Sequence, residues 1–333
     1  MVGTVEGVGA FSVGAAEVRV VTNCACDIST VVEAEERVVR KLTDRGLWPH
    51  ETVTLFVLDD LTPLVGQLKA MGRLVEETLV VLPQRPMVNL YDPRHVMECF
   101  VFVNRRIMQA EGYWSDGLAT EGLLAHEHAH PLSEAPATAA ARTLTITADG
   151  PAALAPLAAQ LGQTLAAGAV TELLANAFCL THGFVEALVH LDRLTLRRAV
   201  ANLSQRAELA HRVAAAVAAG TLLADEASSL LLLADAQIGL PFALEVVPFL
   251  RAGRVAEAAE LEHLLTGQLL AAMAPEIAGV YDKLRAAFAE LRPEWGRVAV
   301  AAWCTDILTR LSAVLSQGGA RLTLSLVPAG SSL

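Results

Sequence analysis

The chain has 333 residues, 53% of them hydrophobic and 5% aromatic, and a formal net charge of −11. That length supports a large core divided over two domains. The acidic balance and the lack of any Lys/Arg run argue against a nucleic-acid partner, while a cationic peptide substrate stays compatible.

In chain order, the start Met1-Val2-Gly3-Thr4-Val5-Glu6-Gly7 has neither a basic stretch nor a long apolar core, so no signal peptide is expected. Residues 18–22 read as a short strand. Asp27 or Ser29 caps a helix to about Arg45, with Val31, Val38, Val39 and Leu42 on one face and Gly46 as its stop. Residues 52–58 are β-branched and apolar, a further strand. Thr62-Pro63 opens a second helix, residues 78–82 form another strand, and Pro83, Pro86 and Pro93 mark a loop bordering a cleft. Residues 99–103 form one more strand. The five cysteines are scattered except for Cys24-Ala25-Cys26, which points to a reduced, cytoplasmic protein; that pair is a weak candidate for a soft metal.

The next segment carries the chemistry. His126-Glu127-His128-Ala129-His130 contains His-Glu-x-x-His. On a helix, His126 and His130 lie one turn apart on a shared face and can bind one metal ion. Glu127 is rotated off that face, within reach of a metal-bound water without ligating the metal. The competing strand reading puts His126, His128 and His130 on one face. Context favours helix. Ser115 or Asp116 can cap it, Leu and Ala dominate, and β-branched residues are almost absent from 115–125. Gly117 and Gly122 weaken the helix. Pro131 lacks the amide that would bond back to the Glu127 carbonyl, so the helix should end or kink there. His128 faces away from the other two and reads as a solvent-side or supporting residue.

A catalytic zinc site needs a third protein ligand. After a short strand at 142–147, a turn at Asp149-Gly150-Pro151 and an Ala/Leu helix at 151–167, residues 168–180 read as a buried helix with one carboxylate, Glu172. Such a group is costly in an apolar helix unless it is paired or metal-bound. Asn176, one turn later, can accept the outer ring N–H of a ligand histidine. Glu134, Glu186 and His182 are weaker alternatives. A helix-start salt bridge is the plain alternative for Glu172.

The arrangement resembles the gluzincin group of zincin-like metallopeptidases, over roughly residues 28–190. The resemblance implies His126, His130 and Glu172 as Zn2+ ligands, Glu127 as general base, and Asn176 in the place where the group commonly has aspartate. It also implies an α+β zincin-like catalytic domain, residues 1–190, with a small sheet beside the active-site helices. An edge strand there would pair with an extended peptide.

From about 190 onward helix follows helix, with breaks near Gly220, Gly239-Leu240-Pro241, Gly253, Ala274-Pro275 and Arg292-Pro293, giving a mostly helical domain over 191–333. Residues 222–250, though very apolar, are interrupted by Asp225, Glu226, Asp235, Pro241 and Glu245 and read as buried helices, so no membrane span is expected. Residues 322–327 alternate weakly, as a strand or a disordered end. The function expected is zinc-dependent hydrolysis of a peptide or protein substrate, with His211, Tyr113, Tyr91 and Tyr281 as candidates to stabilise the oxyanion and His211 preferred. A helical interaction protein with a degenerate or structural metal site is the alternative.

Overall fold

The structure, a computed structural model, describes residues 8–59, 61, 84–92 and 95–328. The helix expected at Thr62-Pro63, the strand expected at 78–82, Pro83 and Pro93 lie outside the described residues. The fold is α+β with a small main sheet. The chain divides into two compact units, each built from separate stretches: Met1–Ser133 with Phe178–Leu194, and Glu134–Ala177 with Thr195–Leu333. Within the second unit, β6 (Leu144–Asp149) pairs antiparallel with β7 (Thr323–Pro328), strands too far apart in sequence for any local pattern to reveal.

The first unit is built on a five-stranded sheet in the order β1-β2-β3-β5-β4. β1 (Val8–Val13) and β2 (Ala16–Thr22) form a hairpin turning at Gly14, whose φ of 61° suits glycine. β3 (Thr52–Leu58) and β5 (His95–Asn104) continue it in parallel, and β4 (Met87–Asp92) closes it as an antiparallel edge. Val53, Leu55, Val57 and Leu58 of β3 are all buried, which explains a nearly continuous apolar run rather than an alternating one. α1 (Ser29–Thr43) buries Val31, Ala34, Val38, Val39 and Leu42 and gives way to Gly46 at φ 67°.

A short α2 (Arg105–Ala110), capped by Asn104, leads to α3 (Gly117–Leu132), the helix that carries the histidines. Asp116 caps α3 by accepting from the Leu118 and Ala119 amides at 3.1 and 3.0 Å. Glu121, nearly buried, ties α3 to α1 through Arg37 at 2.9 Å and Lys41 at 3.1 Å. At Gly122 the helix runs so close to α7 (Val185–Ala201) that a Cβ would stand 2.8 Å from the Ala187 carbonyl oxygen. The glycine that weakens the helix in isolation is therefore a packing requirement.

The second unit takes in α4 (Pro136–Ala141), β6, α5 (Ala155–Gln163), a π-helical turn at Thr164–Gly168 and most of α6 (Ala169–Thr181). It continues through α8 (Leu203–Ala218), α9 (Ala224–Gly239), α10 (Phe242–Arg251), α11 (Val255–Leu264), α12 (Pro275–Glu290) and α13 (Arg297–Leu315) to β7. Its core includes Leu165, Leu173, Leu233, Leu284, Phe288 and Ile307. The buried Asp235 is satisfied by Arg206 at 2.5 and 2.8 Å and by the Ala274 amide at 2.9 Å.

The expectation of no membrane span is corrected. Among the described residues, Ala155–Thr181, Ala224–Arg251 and Arg297–Gly318 form helical stretches long and apolar enough, by length and composition, to cross a membrane. The second stretch turns at Leu240-Pro241 between α9 and α10, yet its apolar composition over that length still meets the criterion despite the interruptions noted in 222–250.

Candidate metal centre

Residues 117–132 are helical, which removes the strand reading of the alternating histidines. His126 and His130 stand one turn apart with ring centroids 4.8 Å apart and planes nearly perpendicular. His126 and His130, in the first unit, and Glu172, in the second, are each half-buried. Glu172 comes from the first turn of α6, just after the π-helical turn. π-turns often mark sites where a helix is re-aimed for function.

Glu127 is held by β4. The Asn89 amide donates to its carboxylate Oε2 at 3.0 Å. The Asn89 side-chain Nδ2 donates to the Glu127 carbonyl at 2.7 Å. That carbonyl is the one whose helical partner Pro131 removes, so Asn89 supplies the missing donor. The proline therefore does not end the helix at once; α3 runs to Leu132, and the Ser133 amide closes on the Ala129 carbonyl.

Asn176 is buried, and its Nδ2 donates to the Leu244 carbonyl at 3.2 Å and to Glu245 Oε2 at 3.3 Å, tying α6 to α10. His211 is exposed on α8. Tyr281 lies in the helical core, its hydroxyl without a hydrogen-bond partner among the described residues and its pKa raised first by burial, which makes it a packed residue rather than an oxyanion donor. Tyr91 is half-buried on β4 and Tyr113 is buried just before α3. Of the weaker ligand candidates, Glu134 pairs with Arg142, Glu186 is exposed at the start of α7, and His182 packs on Phe178 with its pKa lowered by burial and by Arg45. Cys24 donates toward the Val57 carbonyl and Asp59, burial foremost pushing its thiol up to about 12; it joins neither metal-competent cluster among the described residues, nor does Cys26.

The solvent-side reading of His128 is corrected. It is fully buried, and its Nε2 bonds both oxygens of the equally buried Glu35, at 2.9 and 3.0 Å. Glu35 falls on the apolar stripe of α1, four residues from both Val31 and Val39, and a carboxylate there was the signal for a buried partner.

Compared with known proteins, the chain matches no family model, no curated protein and no solved structure.

Proposed function

We propose that the chain is a zinc-dependent peptide hydrolase with a zincin-like, gluzincin-type catalytic arrangement. The observation that carries this reading is the stacking of His126 and His130 one turn apart on α3, ring centroids 4.8 Å apart, with Glu127 on the same turn; Glu172 is the third ligand we propose. Two imidazoles and one carboxylate are a donor set suited to catalytic zinc with a position left for water. Bound there, the ion would make its water acidic and polarise a carbonyl.

The remaining work falls to the chain itself. His126, His130 and Glu172 hold the ion. Glu127 takes a proton from the attacking water and returns it to the leaving amine. The Asn89 amide orients the Glu127 carboxylate, while Nδ2 holds the backbone that carries it. Among the described residues β4 is the edge strand beside α3, to which its Asn89 amide points. An extended peptide adding to that edge would lie beside Glu127.

The test is hydrolysis of a mixed peptide pool, followed by mass spectrometry, with the native chain and Glu127→Gln. The variant should keep its metal, since a glutamine carbonyl still accepts from Asn89, and should lose hydrolysis. Equal cleavage by both proteins would reject Glu127 as the base.

A further inference from the structure

We propose a second metal site, buried and structural, in which His50, Cys99 and His128 hold a zinc ion in the interior of the first unit. The donor atoms of the three residues lie within 4.8 Å of one another, and all three side chains are buried. Two nitrogens and a sulfur are a donor set zinc favours.

A separate observation points into the cluster. His128 gives Nε2 to Glu35, and its Nδ1 is buried with no hydrogen-bond partner among the described residues. A neutral ring in this position has an unused lone pair, and a protonated one a buried donor with no acceptor. A cation on Nδ1 resolves both. The Glu35–His128 pair then has the form common behind metal-bound histidines, in which a carboxylate takes the outer ring N–H and fixes the tautomer.

Charge gives the same answer. Glu35 is a fully buried carboxylate beside an imidazole. With Cys99 as thiolate, the pocket contains two negative charges, which one divalent cation balances with both imidazoles neutral. Without the ion, the Cys99 thiol donates to Asn89 Oδ1 at 2.9 Å. Binding therefore expels the thiol proton to solvent.

The site joins four segments that share no local sequence signal. His50 comes from the loop before β3, Cys99 from β5, His128 from α3, and Glu35 supports from α1. Trp48 covers it, edge-on to both histidine rings with centroids 5.0 and 4.9 Å away. With all three donors buried the site suits a structural ion, whose fourth tetrahedral position falls to a further ligand.

The proposed hydrolase centre contains no sulfur, whereas this site does. The experiment exploits that difference. The full chain, with Cys24 and Cys26 changed to serine to remove other accessible thiols, is stripped of metal and titrated with Co2+. A thiolate-to-cobalt charge-transfer band should grow in the near ultraviolet. It should persist in Glu172→Ala and vanish in Cys99→Ser, whose fold is checked by far-ultraviolet circular dichroism. Zinc-edge X-ray absorption of the same serine-substituted chain, zinc-loaded, should show a sulfur neighbour at about 2.3 Å, a readout that leaves Cys99 itself unchanged. Absence of both the band and the sulfur neighbour, or a band that survives in Cys99→Ser, would overturn the site.

Discussion

Gly122→Ala sets two effects against each other with opposite signs. In an isolated helix the change would stabilise α3 by about 1 kcal/mol, because alanine is the better helix former. In the fold, the added Cβ would meet the Ala187 carbonyl oxygen at 2.8 Å and the Leu191 Cβ at 3.2 Å. The oxygen belongs to the backbone of α7, so it cannot rotate away and the helices must part. Overpacking of this kind costs about 1–3 kcal/mol, leaving a net loss of about 1 kcal/mol. Urea unfolding followed by the fluorescence of Trp48 and Trp114, both in the first unit, measures the change, and Gly122→Val should lose more. A midpoint raised by Gly122→Ala would show that α3 and α7 do not pack as described, and would remove the reason for a glycine within the motif helix.

Other outcomes follow from the same contacts. Asn89→Ala strips the donor from the Glu127 carbonyl and should cost about 1–3 kcal/mol in thermal or urea unfolding. Asn89→Asp should be worse, since it sets a carboxylate against that carbonyl; equal stability of Asp and Asn would contradict the role assigned to Nδ2. Burial works against the charge on Asp116, but the Ala119 amide, His190 at 2.7 Å and the Leu118 amide hold its pKa below the ordinary carboxylate value. Its stabilising contribution is therefore complete above an unfolded pKa of about 3.9 and is lost as pH falls through the lower folded value. Amide exchange in the first turn of α3 should quicken over that acid range, and Asp116→Asn, which still caps but does not titrate, should flatten the dependence.

Much of the first unit was legible where one local pattern settles the outcome. The stripe Val31, Val38, Val39, Leu42 with its Gly46 stop corresponds to α1, and the β-branched run at 52–58 to β3. Helix at the motif followed from Asp116 and the shortage of β-branched residues. β4 was hidden because Pro86 and Pro93 made its surroundings read as loop, yet an edge strand tolerates flanking prolines. The meeting of β6 with β7 is a pairing no window detects. His50 lies in an irregular loop, where no periodicity reveals what its ring faces. Glu35 and His128 did leave a trace, each a polar residue on the buried face of its helix. That trace had weight only once the two helices were known to pack together. The membrane-length helices show the reverse limit, since Ala/Leu-rich segments carry the same hydropathy in a helical core as in a bilayer.

The most direct measurement is an anomalous difference map at the zinc edge from crystals of the zinc-loaded chain. The account predicts a peak bonded to ring nitrogens of His126 and His130 and to a carboxylate oxygen of Glu172, each at about 2.0–2.2 Å. A zinc-replete crystal with no peak there, or a peak on the two histidines with Glu172 turned elsewhere, would contradict it.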